Sequence, residues 1–413
     1  MDFAIPADVA ATLEDLDRFI AAEIAPLEAE HPQFFDHRRE HARTDWERDG
    51  VPRTDWEELL AEMRRRADAA GFLRYALPSS VGGSDGTSLA MAIIREHLAS
   101  KGNGLHNDLQ NESSVVGNFP IVHMFLAAGT EAQQAAFVEG LVTGDIRMGF
   151  GLTEPDHGSD ATWMETTAER VDGGWAISGR KRWNTGLHTA THDLVFARTS
   201  GEPGQADGIT CFIVPTDADG FSVDRFLWTF NMPTDHAEVT LDRVEVGEAD
   251  VLGDVGRGLA VAQMFVHENR IRQAASSVGA ARYCLGRAVS YASERVVFGR
   301  PLWTNQAIQF PLAELATEVE LVSTLVRRTA WELDHRGQME VSDRVAMCNY
   351  RANRLACDAA DQAMQTMGGW GYSRHEQVEH IYRHHRRYRI TEGSDEIQLR
   401  RIAGVMFGRR PKG

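Results

Sequence analysis

The spacing of apolar residues changes twice along this chain, near Arg147 and near Gly258, and this double change limits the folds that the chain can adopt. Helical spacing before Arg147 is clear in the apolar stripe Val9, Leu13, Leu16, Phe19 and Ile20. Short alternating runs separated by Gly, Asp and Pro then follow at 148–152, 163–170, 175–178, 194–197, 209–214 and 237–241. Helical spacing returns over 259–297, 306–333, 341–367 and 391–407.

The pattern predicts an α+β multidomain protein. We expect an N-terminal helical domain at residues 1–146 and a middle domain at 147–250 that forms an antiparallel β-barrel or sandwich. The C-terminal domain, residues 251–413, is predicted to be an antiparallel four-helix bundle, because long helices with short connections pack in that way. Residues 31–56 interrupt the helical spacing with many charges and are either a solvated connector or short surface helix, or a flap over a substrate entrance.

The charge of the chain narrows the class of partner. The 413 residues include 43 Lys and Arg against 60 Asp and Glu, so the net charge is -17. This charge argues against nucleic acid or an anionic membrane surface as the main binding partner.

The cysteines and the start of the chain bear on its cellular location. The four cysteines lack metal-binding spacing, and we expect buried, reduced thiols. The acidic start lacks a signal peptide pattern and no apolar run approaches the roughly 18 residues of a membrane span. These features predict a cytoplasmic protein.

One carboxylate stands out near the end of the chain. The segment 388–401, Y-R-I-T-E-G-S-D-E-I-Q-L-R-R, places Glu392 directly before Gly393, which permits a tight turn, and Ser394 then begins a helix pattern. A carboxylate at such a turn acts as a general base when burial raises its pKa and a substrate proton lies within reach. The ordinary interpretation is a residue that satisfies a helix start, and the segment alone leaves both open.

The sequence T-E-G-S-D-E-I-Q-L-R-R-I-A resembles the C-terminal signature of the acyl-CoA dehydrogenases. In these flavoproteins the Glu before the Gly removes the α proton of an acyl-CoA thioester, and that residue here is Glu392. The order helical, β, helical is also the architecture of this family, and the resemblance covers nearly the whole chain. It implies FAD as the cofactor, an acyl-CoA substrate and a trans-2-enoyl-CoA product, with the β hydride passing to flavin N5.

Two segments of the middle domain resemble the flavin-binding motifs of the family. G-F-G-L-T-E-P-D-H-G-S-D at 149–160 resembles T-E-P-x-x-G-S-D, and K-R-W-N-T-G at 181–186 stands where W-I-T-N or W-I-S-N is usual. The resemblance assigns to the flavin ring and pyrophosphate Phe150, Leu152, Thr153, Gly158, Ser159 and Trp183, with the Thr185 hydroxyl at N5. His157 and Asn184 depart from the family pattern, which puts redox tuning and acyl specificity in question more than flavin binding itself. No G-x-G-x-x-G follows a strand, so a Rossmann site is not expected.

Two further segments resemble the site that, in this family, grips the adenine half of FAD bound to a neighbouring subunit. They are E-R-V-V-F-G at 294–299 and Q-T-M-G-G-W-G at 365–371. The cofactor-binding residues implied are Arg295, Phe298, Gln306, Gln365, Gly368 and Gly369, together with Ser394 and Glu396 of the last segment. Without the family, Arg295 is a helix-end cation that complements the dipole. The resemblance implies a homo-oligomer, either a dimer or a tetramer.

The segment V-H-E-N-R-I-R at 266–272 resembles the part of the family that holds CoA. Arg270 matches the family Arg, His267 replaces an acid or amide, and Gly393 is the third predicted substrate-binding residue. In some members the base lies directly before the Arg, which here is Asn269 and cannot accept a proton. Glu268, about 100° around the helix, is the second candidate for the base.

The basic run H-I-Y-R-H-H-R-R-Y-R at 380–389 is not expected to bind a metal, because its cations repel one and no carboxylate or thiol stands at ligand spacing. Arg383 matches a family Arg and His384 replaces an Asp. The run is either a basic face near an anionic cofactor or plain surface.

We therefore predict an FAD-dependent acyl-CoA dehydrogenase of fatty acid β-oxidation that passes electrons to an electron-transfer flavoprotein. One alternative is a flavin oxidase or monooxygenase on the same fold, which Glu392 argues against. Another is a binding protein without turnover, which the departures at His157, Asn184 and His267 would favour.

Overall fold

The computed structural model describes residues 4–36, 38, 41–108, 113–230 and 233–408. Contacts within the described chain divide it into two compact units. The helical unit comprises the described residues of Met1–Ala42, Glu62–Asn118 and His267–Gly413, and the sheet unit comprises Arg43–Ala61 and Phe119–Val266. The three-domain division with boundaries at 146 and 250 stays a prediction.

The part of the chain before residue 147 is mainly helical, as its apolar spacing predicted. Its helices are α1 Ala7–Phe19, α2 Ala25–Glu30, α3 Thr54–Ala69, α4 Ser88–Ala99, α5 Pro120–Ala128 and α6 Glu131–Thr143. A π-helical turn, Ile20–Ile24, joins α1 to α2. Thr87 caps α4 by accepting from the backbone N–H of Ala90, and Thr130 opens α6 in a reciprocal capping box with Gln133. Two short strand pairs occur here, β1 Thr44–Asp45 with β2 Val51–Pro52, and β3 Asn107–Asp108 with β4 Ser113–Ser114.

The segment 31–56 contains several short elements of regular structure. It contains a 3-10 turn at Pro32–Phe34, the β1–β2 pair and the first residues of α3. Trp56 is fully buried, and the guanidinium of Arg43 lies 3.9 Å from the centre of its ring. Residues 37, 39 and 40 of this segment lie outside the described residues.

The sheet unit is organised around an eight-stranded sheet. Its strands are β5 Met148–Gly151, β6 Thr167–Val171, β7 Gly174–Thr185, β8 His192–Arg198, β9 Ile209–Pro215, β10 Phe221–Phe226, β11 His236–Gly247 and β12 Val251–Leu252. They pair in the order β10-β11-β7-β6-β8-β9-β12, and β5 pairs with β8. The contacts of β5 and β6 with β8 are parallel and the others antiparallel.

The described sheet is open rather than a closed barrel, because β10 and β12 end the pairing order. The expected fold class is confirmed, but closure was not correctly predicted. A buried core lies between the inward side chains, among them Trp175, Ile177, Phe212, Val239 and Leu241. Strand β10 was not among the strands predicted from the sequence. Four of its six positions are exposed, so its residues do not show the alternation of apolar and polar side chains that marks a half-buried strand.

Helices of the last third pack around α9. They are α7 Gly258–Glu294, α8 Gln306–His335, α9 Ser342–Met367, α10 Val378–Arg387 and α11 Asp395–Met406, with a hairpin of β13 Val296–Val297 and β14 Arg300–Pro301 after α7. Helix α9 contacts α8, α10 and α11. The predicted helices at 259–297, 306–333, 341–367 and 391–407 are therefore confirmed to within a few residues, whereas α10 was not predicted as a helix.

Gly279 lies inside α7 without ending it, and the packing explains why. A β carbon at this position would lie 2.2 Å from the carbonyl oxygen of Glu96 in α4. Glycine is therefore required for the close approach of these two helices within the helical unit.

Two further sequence expectations concern the whole chain. All four cysteines are buried and free of disulfides. Within the described residues, no helix is long and apolar enough to cross a membrane.

Candidate active site

Glu392 lies in the turn between α10 and α11 with a left-handed backbone, at a φ of 56°. Gly393 follows with a φ of 92°, and a β carbon there would lie 3.0 Å from Nη2 of Arg270. A non-glycine residue in this region costs about 1–3 kcal/mol and persists only where its surroundings hold it. The predicted turn is therefore present, and it needs support from neighbouring side chains.

Two buried side chains hold the backbone of this turn. The Nε of Arg270 donates to the carbonyl oxygen of Glu392 at 2.8 Å. The amide of Gln398 donates to the carbonyl oxygens of Glu392 and Gly393 at 3.1 and 2.9 Å. Arg270 is 9% exposed and Gln398 is 1% exposed, so these bonds are shielded from water.

The start of α11 is fixed by ion pairs rather than by a serine cap. Ser394 occupies the N-cap position but makes no side-chain cap hydrogen bond. The buried carboxylate of Asp395 instead accepts from the Nε atoms of Arg354 and Arg389 at 2.8 and 3.0 Å. Glu392 is thus held from both sides of the turn.

Asn269 of α7 contacts the carboxylate of Glu392. Its Nδ2 lies 3.4 Å from Oε1 of Glu392. Its Oδ1 accepts from Nδ2 of Asn118 at 3.3 Å and from Nη2 of Arg272 at 3.1 Å. Three side chains therefore converge on the amide that lies beside the candidate base.

The predicted substrate residues Arg270 and His267 are both buried, and burial sets their charge. Burial lowers the pKa of Arg270 to about 10, with Glu392 opposing the shift and Arg401 adding to it. Burial, with Arg270 and Arg401 nearby, lowers the pKa of His267 to about 4. Arg270 therefore stays charged at neutral pH, whereas His267 is neutral and offers no cation to a phosphate.

In the sheet unit, the loop after β5 is anchored by Glu154. Its carboxylate pairs with the fully buried Nζ of Lys181 at 2.9 Å and accepts from the backbone N–H groups of Glu165 and Thr166 at 2.6 and 2.9 Å. Burial opposes ionisation of Glu154, but Lys181 and these donors outweigh it and lower its pKa. The loop conformation therefore depends on a buried ion pair.

Trp183 is aimed outward by a β-bulge. In the pairing of β7 with β11, Asn184 opposes Ala237 and Arg182 opposes Glu238, which leaves Trp183 as the extra residue. Its φ is 72° and its side chain is 47% exposed. Bulges redirect side chains and are frequent beside active sites, so this one fits the predicted role of Trp183.

Thr185 at the end of β7 bonds a histidine that the sequence did not suggest. Its hydroxyl lies 2.9 Å from Nδ1 of His236, the first residue of β11. The rings of Trp183 and His236 meet edge to face with centroids 6.3 Å apart. Trp183, Thr185 and His236 thus form one cluster at this end of the sheet.

Asn184, between these two residues, has a fully buried side chain. Its Nδ2 lies 2.5 Å from Oδ2 of Asp193 on β8. Asp193 is itself fully buried against Gly149 and Gly151, where β carbons would lie 2.6 and 2.9 Å from its carboxylate oxygens. Burial raises the pKa of Asp193 to about 7, with Asn184 and Lys181 opposing the shift.

The other predicted flavin residues lie along β5 and the loop that follows it. The ring of Phe150 stacks on Phe265 with centroids 4.2 Å apart. Leu152 and Thr153 are half-buried, whereas Gly158 and Ser159 are exposed. His157 contacts Glu165 at 3.2 Å. These predicted flavin residues therefore all lie within one short segment, between positions 150 and 159.

The residues predicted for the adenine half lie in the helical unit and are largely exposed. Phe298 is 104% exposed at the tip of the β13–β14 hairpin, with a φ of 49°. Exposed positions also include Arg295, Gln306, Gln365, Gly368, Gly369 and Glu396, whereas Ser394 is half-buried. Most of these predicted residues therefore lie at the surface of the described chain.

The basic run of α10 is partly internal. Arg383 pairs with Glu379 one turn away at 2.8 Å. His384 is 1% exposed, and burial together with neighbouring cations lowers its pKa well below the usual value. His384 is thus a neutral interior side chain, and the run is not simply a basic surface.

Sequence reasoning identified Glu392, Gly393 and Arg270, which the structure brings together, but it missed Gln398, Asn118 and Arg272 around them. In the sheet unit, sequence reasoning missed the pair of Glu154 with Lys181, and also His236 and Asp193. Glu154 lies in the T-E-P motif, so its position in that motif was the one feature of the sequence that pointed to it.

Three family models match the chain in succession. They are described as the N-terminal, middle and C-terminal domains of acyl-CoA dehydrogenase, and they match residues 8–145, 149–244 and 256–407.

Individual proteins agree with these matches. The chain is 32% identical to acyl-CoA dehydrogenase FadE12 of Mycobacterium tuberculosis, covering 92% of each sequence. It is 29% identical to a caffeyl-CoA reductase-Etf complex subunit, CarC, of Acetobacterium woodii, covering 85% of this chain and 90% of that protein. A solved structure of a putative acyl-CoA dehydrogenase from Mycobacterium abscessus superposes with a TM-score of 0.86 at 26% identity, covering 98% and 99% of the two chains.

Proposed function

This chain belongs to the acyl-CoA dehydrogenase family, and from that premise we propose that it desaturates an acyl-CoA thioester to the trans-2-enoyl thioester with Glu392 as the base. Members of this family are FAD-dependent oxidoreductases. The observation that carries the proposal is the left-handed turn at Glu392, held by Arg270 and Gln398.

The proposed chemistry requires a base in a fixed position. The α C–H of a thioester is a very weak acid, so the carboxylate must meet the proton in a defined geometry. Glu392 takes the α proton, the β carbon loses hydride, and the electron pair of the α C–H bond becomes the second bond between the two carbons. By the family resemblance, the backbone N–H of Glu392 stabilises the negative charge that develops on the thioester oxygen.

FAD is the cofactor of this family, and the exposed groups of the sheet unit suit it. An added β carbon at Gly158 would find no atom closer than Cγ2 of Thr153 at 4.0 Å, so a phosphate has room to approach. Ser159 offers a hydroxyl, and Trp183 offers an exposed aromatic face. We assign these residues, with Phe150, Leu152 and Thr153, to FAD. When bound, FAD supplies the acceptor for the β hydride.

The Thr185 hydroxyl is assigned to the edge of the flavin. Its contact with Nδ1 of His236 at 2.9 Å supports a fixed hydroxyl direction. Lys181 and Glu154 hold the preceding loop in place and act through its conformation rather than on the ligand.

The adenine half of FAD is assigned to a second copy of this chain. The exposed ring of Phe298 and the open surroundings of Gly368 and Gly369, where an added β carbon would meet no atom within 4 Å, support this assignment. Arg295, Gln306 and Gln365 are assigned to the same site, and Ser394 and Glu396 are proposed cofactor contacts as well. The protein is therefore proposed to work as a homodimer or homotetramer.

Arg270 is assigned to the turn as well as to the substrate. Its Nε is engaged with the Glu392 carbonyl, so its direct contribution to CoA is limited to its remaining N–H groups. Gly393 and His267 remain proposed substrate contacts. His267 would act as a neutral hydrogen-bonding group, because its pKa is lowered to about 4.

We assign the reoxidation of the flavin to an electron-transfer flavoprotein. The support is the relative from Acetobacterium woodii, which is named as a subunit of an Etf complex. The four buried, free cysteines suit a reducing compartment, and we place the protein in the cytoplasm with β-oxidation as its setting.

Anaerobic mixing of the purified flavoprotein with a panel of acyl-CoA thioesters tests the proposed function. We expect one class of thioester to bleach the flavin and mass spectrometry to detect a product lighter by two hydrogen atoms. Reoxidation by an electron-transfer flavoprotein, but not by air, is expected. A flavin that no thioester bleaches would overturn the proposal, and rapid reoxidation by air would favour an oxidase.

A further inference from the structure

The amide of Asn269 lies where it can control the candidate base. Asn269 is 4% exposed on α7, and its side chain meets Glu392, Asn118 and Arg272. An asparagine cannot exchange a proton with the substrate, so Asn269 can affect the reaction only through the hydrogen bonds that it makes.

The orientation of this amide is fixed by its neighbours. A guanidinium carries only donors, so Nη2 of Arg272 at 3.1 Å must face the oxygen of the amide. Asn118 adds a second donor to that oxygen at 3.3 Å. The amide nitrogen is therefore turned towards Oε1 of Glu392, 3.4 Å away, and a flipped amide would set its N–H groups against those of Arg272.

We propose that Asn269 is a positioning residue, which holds the Glu392 carboxylate in one orientation and presents an N–H donor to it. This inference rests on the proposed role of Glu392 as the base. A donor stabilises a carboxylate more than a carboxylic acid, so Asn269 keeps Glu392 ionised and ready to accept a proton.

The charged groups around the turn do not replace the hydrogen bond from Asn269. Arg270 donates to the backbone carbonyl of Glu392 and its charge favours the ionised carboxylate, and Arg401 is near enough to affect Arg270. Arg272 is engaged with the oxygen of Asn269. His267 carries no charge at neutral pH because its pKa is lowered to about 4. Asn269 thus orients the carboxylate without adding a second ionisable group beside it.

The test compares Asn269→Ala and Asn269→Asp with wild type and with Asn103→Ala as the control. The Nδ2 of Asn103 is buried without a partner among the described residues, so its removal tests the loss of an amide elsewhere in the helical unit. The rate of anaerobic flavin reduction by saturating acyl-CoA is measured from pH 5 to pH 9. Asn269→Asp keeps the side-chain shape and the acceptor for Arg272, so it tests the donor even if Asn269→Ala folds poorly.

We expect the acidic midpoint of the pH profile to move up by about one pH unit in Asn269→Ala, because a hydrogen bond to a charged group is lost. On the acidic side this is a roughly tenfold slower reduction. Asn269→Asp should move the midpoint at least as far, because it places a second carboxylate beside Glu392. The KM for acyl-CoA and the profile of Asn103→Ala should stay close to wild type.

Infrared difference spectra between two pH values give a second measure that does not depend on turnover. With 13C-labelled glutamate, and Glu392→Gln to identify the band, the protonation midpoint of Glu392 should shift in both Asn269 variants. An unmoved midpoint, or rates lowered equally at every pH, would overturn the inference. If Glu392→Gln itself reduces flavin as fast as wild type, the failure lies instead with the proposed base.

Discussion

Replacing Asp193 with asparagine should stabilise this protein above neutral pH. Asp193 is fully buried beside Gly149 and Gly151, and its carboxylate contacts the amide of Asn184. Burial raises its pKa from 3.8 to about 7, so the folded protein holds a proton that the unfolded chain releases at a lower pH. An asparagine side chain at this position would have nearly the same shape and would never be charged, which is why D193N isolates the cost of the charge.

The size of the effect follows from the shift. About three pKa units at 1.36 kcal/mol each correspond to ~4 kcal/mol. The stability associated with the neutral form of Asp193 is fully present below about pH 4, declines as the pH rises, and is lost above about pH 7. At about 2.1 cal/mol/K per residue, a chain of 413 residues converts ~4 kcal/mol into a Tm change of about 5 °C.

Thermal unfolding of wild type and D193N at pH 5 and pH 8 measures this effect. We expect the Tm of the variant, relative to wild type, to be several degrees higher at pH 8 than at pH 5. Asp242→Asn, which replaces an exposed carboxylate on β11 of the same sheet, is the matched control and should show no such dependence on pH. If D193N and wild type differ in Tm by the same amount at both pH values, Asp193 is not held neutral in the folded protein.

Two other substitutions test the two units. Lys181→Met leaves the buried Glu154 without its cation, so it should lower the free energy of unfolding by about 3 kcal/mol and weaken FAD retention. The control Arg257→Met breaks an exposed ion pair and should lower the free energy of unfolding by less than about 1 kcal/mol. Equal unfolding midpoints in urea for the two variants would contradict this. Phe298→Ser should leave the fold unchanged by circular dichroism, because the ring is fully exposed, but should weaken oligomerisation and FAD retention. Wild-type mass by light scattering together with full FAD content would show that Phe298 contacts neither a partner nor FAD.

The period of the apolar residues was enough to predict the helices of the last third, but it missed α10. On the buried face of this helix, Val378 and Ile381 are accompanied by His380, His384 and His385. Because histidine is usually read as polar, the internal face did not look apolar in the sequence. Burial of these rings is a consequence of packing and could not be predicted from spacing.

The motif of the candidate site could also be predicted from the sequence, but the residues that support it could not. Glu392 and Gly393 are adjacent in sequence, whereas Asn118 lies more than 150 residues before Asn269, and Gln398 is one ordinary amide of a helix. In the sheet, Lys181 and Asp193 occupy interior positions where the strand pattern predicts apolar side chains. Only the three-dimensional pairing of Lys181 with Glu154 and of Asp193 with Asn184 explains their presence.

Single-turnover flavin reduction measures whether Glu392 removes the α proton. Wild type, Glu392→Gln and Glu268→Gln are mixed anaerobically with an acyl-CoA that reduces the wild-type flavin, and binding is measured separately. We predict that Glu392→Gln binds the thioester but reduces flavin roughly 10²–10⁴-fold more slowly, whereas Glu268→Gln stays close to wild type. Reduction by Glu392→Gln at the wild-type rate would contradict the claim, and a loss confined to Glu268→Gln would transfer the role to Glu268.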